Sequence, residues 1–84
     1  MYKYEFTPGV DKELRKLPLK IQKLIIVKLD YFASSGHPLI YAQHLINYEM
    51  GQYRFRIGDY RVIFDLKDET IVVLSVGHRR NIYK

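Results

Sequence analysis

Cysteine is absent from the 84 residues of this chain. Disulfide bonds and thiolate zinc sites are therefore excluded, and the composition is compatible with a reducing compartment. Long apolar runs are also lacking, since they reach only four residues, as in LIIV and IVVL, far short of a membrane span. The opening MYKYEFTPGVDKELRK has neither the apolar region nor the cleavage site of a signal peptide. We expect a soluble, cytoplasmic protein that does not enter a membrane.

Acidic residues are scarce relative to basic ones. Nine Asp and Glu face fourteen Lys and Arg, which leaves a formal net charge of +5 and a pI near 9.5. Such a balance favours an anionic partner, either nucleic acid or an acidic protein. Many small soluble proteins are basic without such a partner, so charge alone leaves the question open.

The first half of the chain predicts one strand and two helices within a single domain, 1–84. Residues 2–7 alternate as a strand does, and Thr7 and Pro8 are typical of an N-cap and a first helical position. Pro18 ends this helix and opens the next, which Gly36 ends. The second helix has an apolar stripe at helical spacing, made of Ile21, Leu24, Ile25, Leu29 and Phe32.

The second half predicts a connecting loop and three strands. The loop, 37–51, lacks clear periodicity but has room for one short strand. The strands are expected at 52–57, 60–67 and 70–78, joined by the two-residue turns Gly58-Asp59 and Asp68-Glu69. The chain is therefore predicted to be an α+β protein, ordered β-α-α-β-β-β. Two N-terminal antiparallel helices pack on one face of a mainly antiparallel four-stranded sheet.

The stretch YRFRIGDYR places like charges opposite each other across the first hairpin. A Gly58-Asp59 turn makes Arg56 face Arg61, and Arg54 lies on the same side of the sheet. Such opposition costs roughly 0.2–1 kcal/mol, which an anion over this face would relieve. Alternatively, these are ordinary exposed arginines that Asp59 or Asp65 could pair with. The same alternation predicts a core face with Ile71, Val73 and Ser75, and an opposite face with Val72, Leu74 and Val76.

The tail GHRRNIYK adds cations and a phenol directly after the last strand. Because that strand runs antiparallel to its neighbour, its end is expected near Arg56 and Arg61. Arg79 and His78 can bind phosphate there, and Tyr83 can stack on a splayed base, a combination suited to RNA.

The segment YRFRIGDYRVIFDLKDETIVVLSVGHRRNIY resembles the C-terminal strands and tail of the RelE/ParE family of bacterial and archaeal toxins. The first strand and VDKELRKLP resemble the family's opening. The resemblance implies a RelE-like toxin of a type II toxin–antitoxin system. RelE-type members are endoribonucleases (mRNA interferases) that cut mRNA in the ribosomal A site and thereby inhibit translation, whereas ParE-type members poison DNA gyrase. Retention of Arg56, Arg61, Arg79 and Tyr83 favours the ribonuclease branch.

The resemblance also implies roles for individual residues in a metal-independent 2′-OH attack. Five candidate catalytic residues follow, namely Arg54, Arg56, Arg61, Arg79 and Tyr83, and the chemistry of the tail itself adds His78 as a sixth. The arginines would hold the scissile phosphate, and Tyr83 would orient a base. Arg80 and Lys84 would add RNA contacts. His78 is the candidate proton carrier or else a surface histidine, and Glu49 is a base, a loop acid or a partner of Arg54.

No cofactor is expected, because no pair of histidines has metal-ligand spacing. The implied partners are a cognate RelB-type antitoxin, acidic or amphipathic, and the ribosome with its mRNA. Operator DNA would be reached only through the antitoxin complex. Two alternatives remain open: a ParE-type gyrase inhibitor on the same scaffold, and a catalytically weak nucleic-acid-binding member.

Overall fold

A computed structural model describes residues 1–46 and 49–82. Its helices are α1 (Val10–Arg15), α2 (Leu19–Ser34) and a short 3-10 helix (Pro38–Tyr41). Its strands are β1 (Lys3–Phe6), β2 (Ala42–His44), β3 (Tyr53–Ile57), β4 (Tyr60–Lys67) and β5 (Thr70–His78). The predicted α+β class, with two helices on a mainly antiparallel sheet, is confirmed. The number of strands is five rather than the predicted four.

The sheet has the strand order β1-β5-β4-β3-β2, in which β1 runs parallel to β5 and all other pairs are antiparallel. The additional strand, β2, lies at the edge and pairs with β3. It falls within 37–51, where the sequence predicts a connecting loop with room for one short strand. Three residues are too few for alternation to be recognised in the sequence, and it is pairing with β3 that makes this segment a strand.

Thr7 extends the contact between β1 and β5. The prediction that it caps a helix is wrong. Its backbone N–H and its hydroxyl donate to the carbonyl of Val73, at 3.1 and 3.0 Å. Helix α1 begins only at Val10, after Gly9 with a φ of 96°. The hydroxyl is used between strands and is therefore not available to the helix. The predictions for Pro18 and Gly36 are confirmed, since Pro18 immediately precedes α2 and Gly36 follows it with a φ of 81°.

The core lies between the two helices and one face of the sheet. Helix α2 packs Phe32 onto Phe55, with ring centroids 4.4 Å apart, and Phe55 stacks on Phe64 at 4.3 Å. The other buried members are Val10, Leu14, Ile25, Leu29, Ala33, Ile57, Val62, Ile71, Val73 and Val76. These residues define the helix-bearing face of the sheet.

The pairing of β4 with β5 contains a register shift. Ile63 pairs with Ser75, whereas Phe64 pairs with Val73, so Leu74 is an extra residue in β5. The prediction that Ser75 faces the core and Val76 faces away is therefore wrong. One inserted residue reverses the alternation beyond it, which turns Val76 into the core and places Ser75 beside Ile63.

None of the helices within residues 1–46 and 49–82 has the length and apolar character needed to cross a membrane.

Candidate active site

The hairpin of β3 and β4 carries three arginines on the side of the sheet away from the helices. Arg56 pairs with Arg61 and Arg54 pairs with Ile63, whereas the neighbouring Phe55 is buried in the core. We call the face that carries Arg54, Arg56 and Arg61 the arginine face. A φ of 60° at Gly58 permits the two-residue turn that sets this register. The predicted opposition of Arg56 and Arg61 is confirmed.

Arg61 and Arg56 lie in very different environments although they face each other. The Arg61 residue is only 6% exposed, and its Nη1 donates to the carbonyl oxygens of Gly58 at 2.9 Å and Tyr60 at 3.0 Å. A buried cation requires such acceptors, because burial removes its hydration. Arg56 is exposed to solvent. The fold thus relieves part of the repulsion itself, by directing the Arg61 guanidinium onto the turn.

The backbone and the side chain of Arg79 both contact the same turn. Its backbone N–H donates to the carbonyl of Asp59 at 2.8 Å, and its Nε lies 3.7 Å from the Asp59 carboxylate. Both side chains are more than half exposed, at 51% and 66%, so the ion pair contributes at most about 1 kcal/mol. An incoming phosphate could replace this carboxylate at low cost. Asp59 is therefore a weak resting counterion for Arg79.

Residues 79–82 fold back beside Arg61. The N–H groups of Asn81 and Ile82 donate to the carbonyl of His78 at 2.8 and 3.0 Å. Ile82 is buried and packs against Gly77, the cross-strand partner of Arg61 on β5. The exposed Arg80 lies in this turn. Two further predicted site residues, Tyr83 and Lys84, lie outside the described residues.

His78 lies on the helix-bearing side of the sheet. It pairs with Tyr60, one residue before Arg61 and hence on the opposite face, and the two rings meet edge to face at 5.3 Å. Its Nδ1 accepts the backbone N–H of Arg80 at 3.1 Å, so Nε2 is the nitrogen that would carry a proton. The structure therefore places Arg56, Arg61 and Arg79 at or beside one turn, but it does not bring His78 onto the arginine face.

Asp65 and Glu49, the two other carboxylates that the sequence analysis considered, lie in different environments. Asp65 accepts the backbone N–H of Gln52 at 2.8 Å, and Glu49 is an exposed turn residue. Across the described parts of the chain, no group of three or more His, Asp or Glu residues could hold a metal ion.

Arg54 has a partner that sequence reasoning missed. Its Nη2 donates to Oε1 of Gln43, which lies directly opposite it across the β2–β3 pair. Gln43 could not be assigned to this face without knowledge that β2 exists and how it is registered. Its identity as glutamine gave no signal in an aperiodic segment.

The sequence of this chain matches a known protein family and a curated relative. Residues 4–83 match the family described as the ParE toxin of the type II toxin–antitoxin system parDE. Toxin RelG of Mycobacterium tuberculosis is 33% identical over 85 residues, which cover 99% of this chain and 97% of that toxin.

Solved structures show the same likeness. The toxin–antitoxin complex RelBE2 from Mycobacterium tuberculosis contains a chain that is 30% identical, with a TM-score of 0.81 and coverage of 93% of this chain and 98% of that one. A chain of the RelB–RelE complex from Methanococcus jannaschii is 26% identical, with a TM-score of 0.73 and 93% coverage of both chains. Since the family match extends over almost the whole sequence, this chain belongs to the RelE/ParE superfamily of toxins of type II toxin–antitoxin systems.

Proposed function

We propose that this chain is a ribosome-dependent mRNA endonuclease, which cleaves mRNA in the A site by metal-independent attack of a ribose 2′-OH. The observation that carries the proposal is the placement of Arg56, Arg61 and Arg79 at or beside the single turn between β3 and β4. Guanidinium groups bind phosphate through paired N–H donors, and three arginines beside one turn suit a phosphoryl group.

In the reaction, the 2′-oxygen attacks phosphorus and the bond from phosphorus to the 5′-oxygen breaks. The products are a 2′,3′-cyclic phosphate and a 5′-hydroxyl. Negative charge grows on the non-bridging oxygens as the new bond forms, and prepositioned cations stabilise it. Arg61, held by the turn carbonyls, is the fixed cation, while the exposed Arg56 and the half-buried Arg54 bind the phosphate beside it. Arg79 leaves Asp59 to act as a second clamp near the leaving oxygen.

The two proton transfers need groups other than arginine, which stays protonated at any relevant pH. Tyr83 is proposed to orient the nucleotide, and His78 is the candidate proton carrier through its Nε2. Because His78 lies on the helix-bearing side, we expect His78→Ala to reduce cleavage less than Arg61→Ala does. Arg80 and Lys84 would contact flanking phosphates. The ribosome would supply the alignment of the mRNA that this small arginine set lacks.

The proposed regulator is a cognate RelB-type antitoxin, acidic or amphipathic, that covers the arginine face. Both solved relatives described above are complexes with an antitoxin. An acidic segment would satisfy the same guanidinium groups that we assign to RNA. Operator DNA would then be reached only through the complex, and the proposed place of action is the cytoplasm.

The first experiment is 5′-end mapping of an mRNA on programmed ribosomes, with and without the protein. We expect a new cut inside the A-site codon, absent from the same message without ribosomes and lost in Arg61→Ala. Lys67→Ala is the matched control, because it removes a cation from the far end of the same strand, β4. Cleavage that survives in Arg61→Ala, or equal cleavage of naked RNA, would contradict the proposal.

The second candidate function is inhibition of DNA gyrase, and it is favoured by the match to the ParE toxin family. It predicts an uncut message together with reduced supercoiling by gyrase in the presence of the protein. If neither assay responds but nucleic acid is bound, the chain is a catalytically weak binding member of the superfamily.

A further inference from the structure

Strand β2 extends the arginine face by one strand beyond the predicted hairpin. Gln43 is the central residue of β2, and it pairs with Arg54, which itself pairs with Ile63 on β4. Directly paired residues point to the same side of a sheet, so Gln43 lies on the arginine face. It is also exposed, and a ligand on that face can therefore reach it.

The chemistry of the Gln43 amide suits two tasks at once. Its Oε1 accepts a hydrogen bond from Nη2 of Arg54, which fixes the direction of the guanidinium. An amide also carries two N–H donors, and with the oxygen turned to Arg54 these donors point away from it. Such donors fit phosphate oxygens and the acceptor edges of unstacked bases.

We propose that Gln43 is a positioning residue for Arg54 and a direct contact for single-stranded RNA. The arginine face then contacts the nucleotide chain through Gln43 on β2 as well as through the arginines of the hairpin. This inference rests on the proposed function only in taking RNA as the ligand. It does not require that the bound RNA be cut.

Two substitutions separate the two tasks. Gln43→Ala removes both the acceptor for Arg54 and the N–H donors. Gln43→Glu keeps an acceptor for Arg54 but removes the donors and places a negative charge where RNA would bind. Since Gln43 is exposed at a sheet edge, both variants are expected to fold with little change in Tm.

The test measures binding of a short single-stranded oligoribonucleotide that carries 2′-O-methyl groups and cannot be cleaved. We expect Gln43→Ala to raise the Kd about three- to tenfold, as the loss of one or two hydrogen bonds would, and Gln43→Glu to raise it further. The double variant Gln43→Ala/Arg54→Ala should lose less than the product of the two single losses, because the pair acts together. Ile46→Ala, at an exposed residue just beyond β2, is the control.

An unchanged Kd in Gln43→Ala, or fully multiplicative losses in the double variant, would overturn the inference. Ribosomal cleavage by the wild type combined with an unchanged Gln43→Ala would overturn it while leaving the proposed function intact. The reverse result, in which binding depends on Gln43 but no message is cut, would support Gln43 as an RNA contact and contradict the endonuclease. A wild type that neither binds nor cleaves RNA would overturn both.

Discussion

Arg56 and Arg61 are direct cross-strand partners, yet only Arg61 is bound into the fold. Arg61 is buried and donates to two carbonyl oxygens of its own turn, whereas Arg56 is exposed. The two arginines therefore have different roles although they carry the same charge. Arg61 shapes the turn and keeps its guanidinium in a fixed position, while Arg56 is held mainly by its strand and remains available for a ligand.

This difference predicts separate outcomes for two alanine variants. Arg61→Ala should abolish cleavage and also lower the free energy of unfolding by about 1–3 kcal/mol, because two carbonyls lose their donor. Arg56→Ala should abolish cleavage while leaving unfolding within about 0.5 kcal/mol of the wild type, as exposed substitutions usually do. Denaturant unfolding and mapping of the ribosomal cut measure the two quantities. Equal destabilisation by both variants would contradict the assigned environments.

At the scale of elements, β1 is tied to the rest of the molecule on both sides. Its partner in the sheet is the first half of β5, and Thr7 extends that contact through two bonds to Val73. On the other side, the hydroxyl of Tyr4 donates to the carboxylate of Asp30 on α2 at 2.6 Å. The second half of β5 is reached by α1 instead, where Ser75 donates to Glu13 at 3.1 Å.

The bond from Tyr4 to Asp30 predicts a pH-dependent stability. Burial, and then the hydrogen bond to Asp30, raise the pKa of Tyr4 from 10.0 to about 12. A raised pKa means that the folded state holds this proton more tightly, so the stabilisation is present below pH 10 and is lost as the pH rises through about 12. Near neutral pH, Tyr4→Phe should lower the free energy of unfolding by about 0.5–1.5 kcal/mol.

The difference in unfolding free energy between the wild type and Tyr4→Phe should shrink between pH 10 and 12. Tyr2→Phe is the matched control, since within the described residues the Tyr2 hydroxyl has no such carboxylate partner. Chemical denaturation over this pH range measures the effect. A difference that stays constant with pH would show that the Tyr4 hydroxyl contributes nothing through its proton.

At the scale of the whole molecule, the fold gathers part of the basic excess that gives the net charge of +5 in one region. Four arginines gather on or beside one face and its turn, namely Arg54, Arg56, Arg61 and Arg79. Their attraction for a polyanion depends on salt, because each phosphate contact releases a bound counterion from the nucleic acid.

Four phosphate contacts with single-stranded RNA predict a slope of about −3 when the logarithm of the binding constant is plotted against that of the salt concentration. Arg56→Ala should bring the slope to about −2, whereas Lys67→Ala should leave it unchanged. Fluorescence anisotropy with a non-cleavable oligoribonucleotide measures both. If Lys67→Ala changed the slope as much as Arg56→Ala, binding would follow net charge rather than the arginine face.

The sequence by itself determined the α+β class, both helices, the three C-terminal strands and the opposition of Arg56 and Arg61. Each of these depends on local signals, such as helical spacing, strand alternation and a two-residue turn, which act within a few residues. The clustering of Arg79 with that pair also followed from strand direction alone.

Only the tertiary structure decided the features that depend on partners distant in the sequence. The edge strand β2 exists because β3 pairs with it, and this pairing is what brings Gln43 to Arg54. The extra residue Leu74 reverses the alternation in β5 and turns Val76 into the core. The burial of Arg61 likewise depends on where its guanidinium finds carbonyl oxygens. Register and hydrogen-bond partners are set by the whole packed molecule, so no single stretch of the sequence contains them.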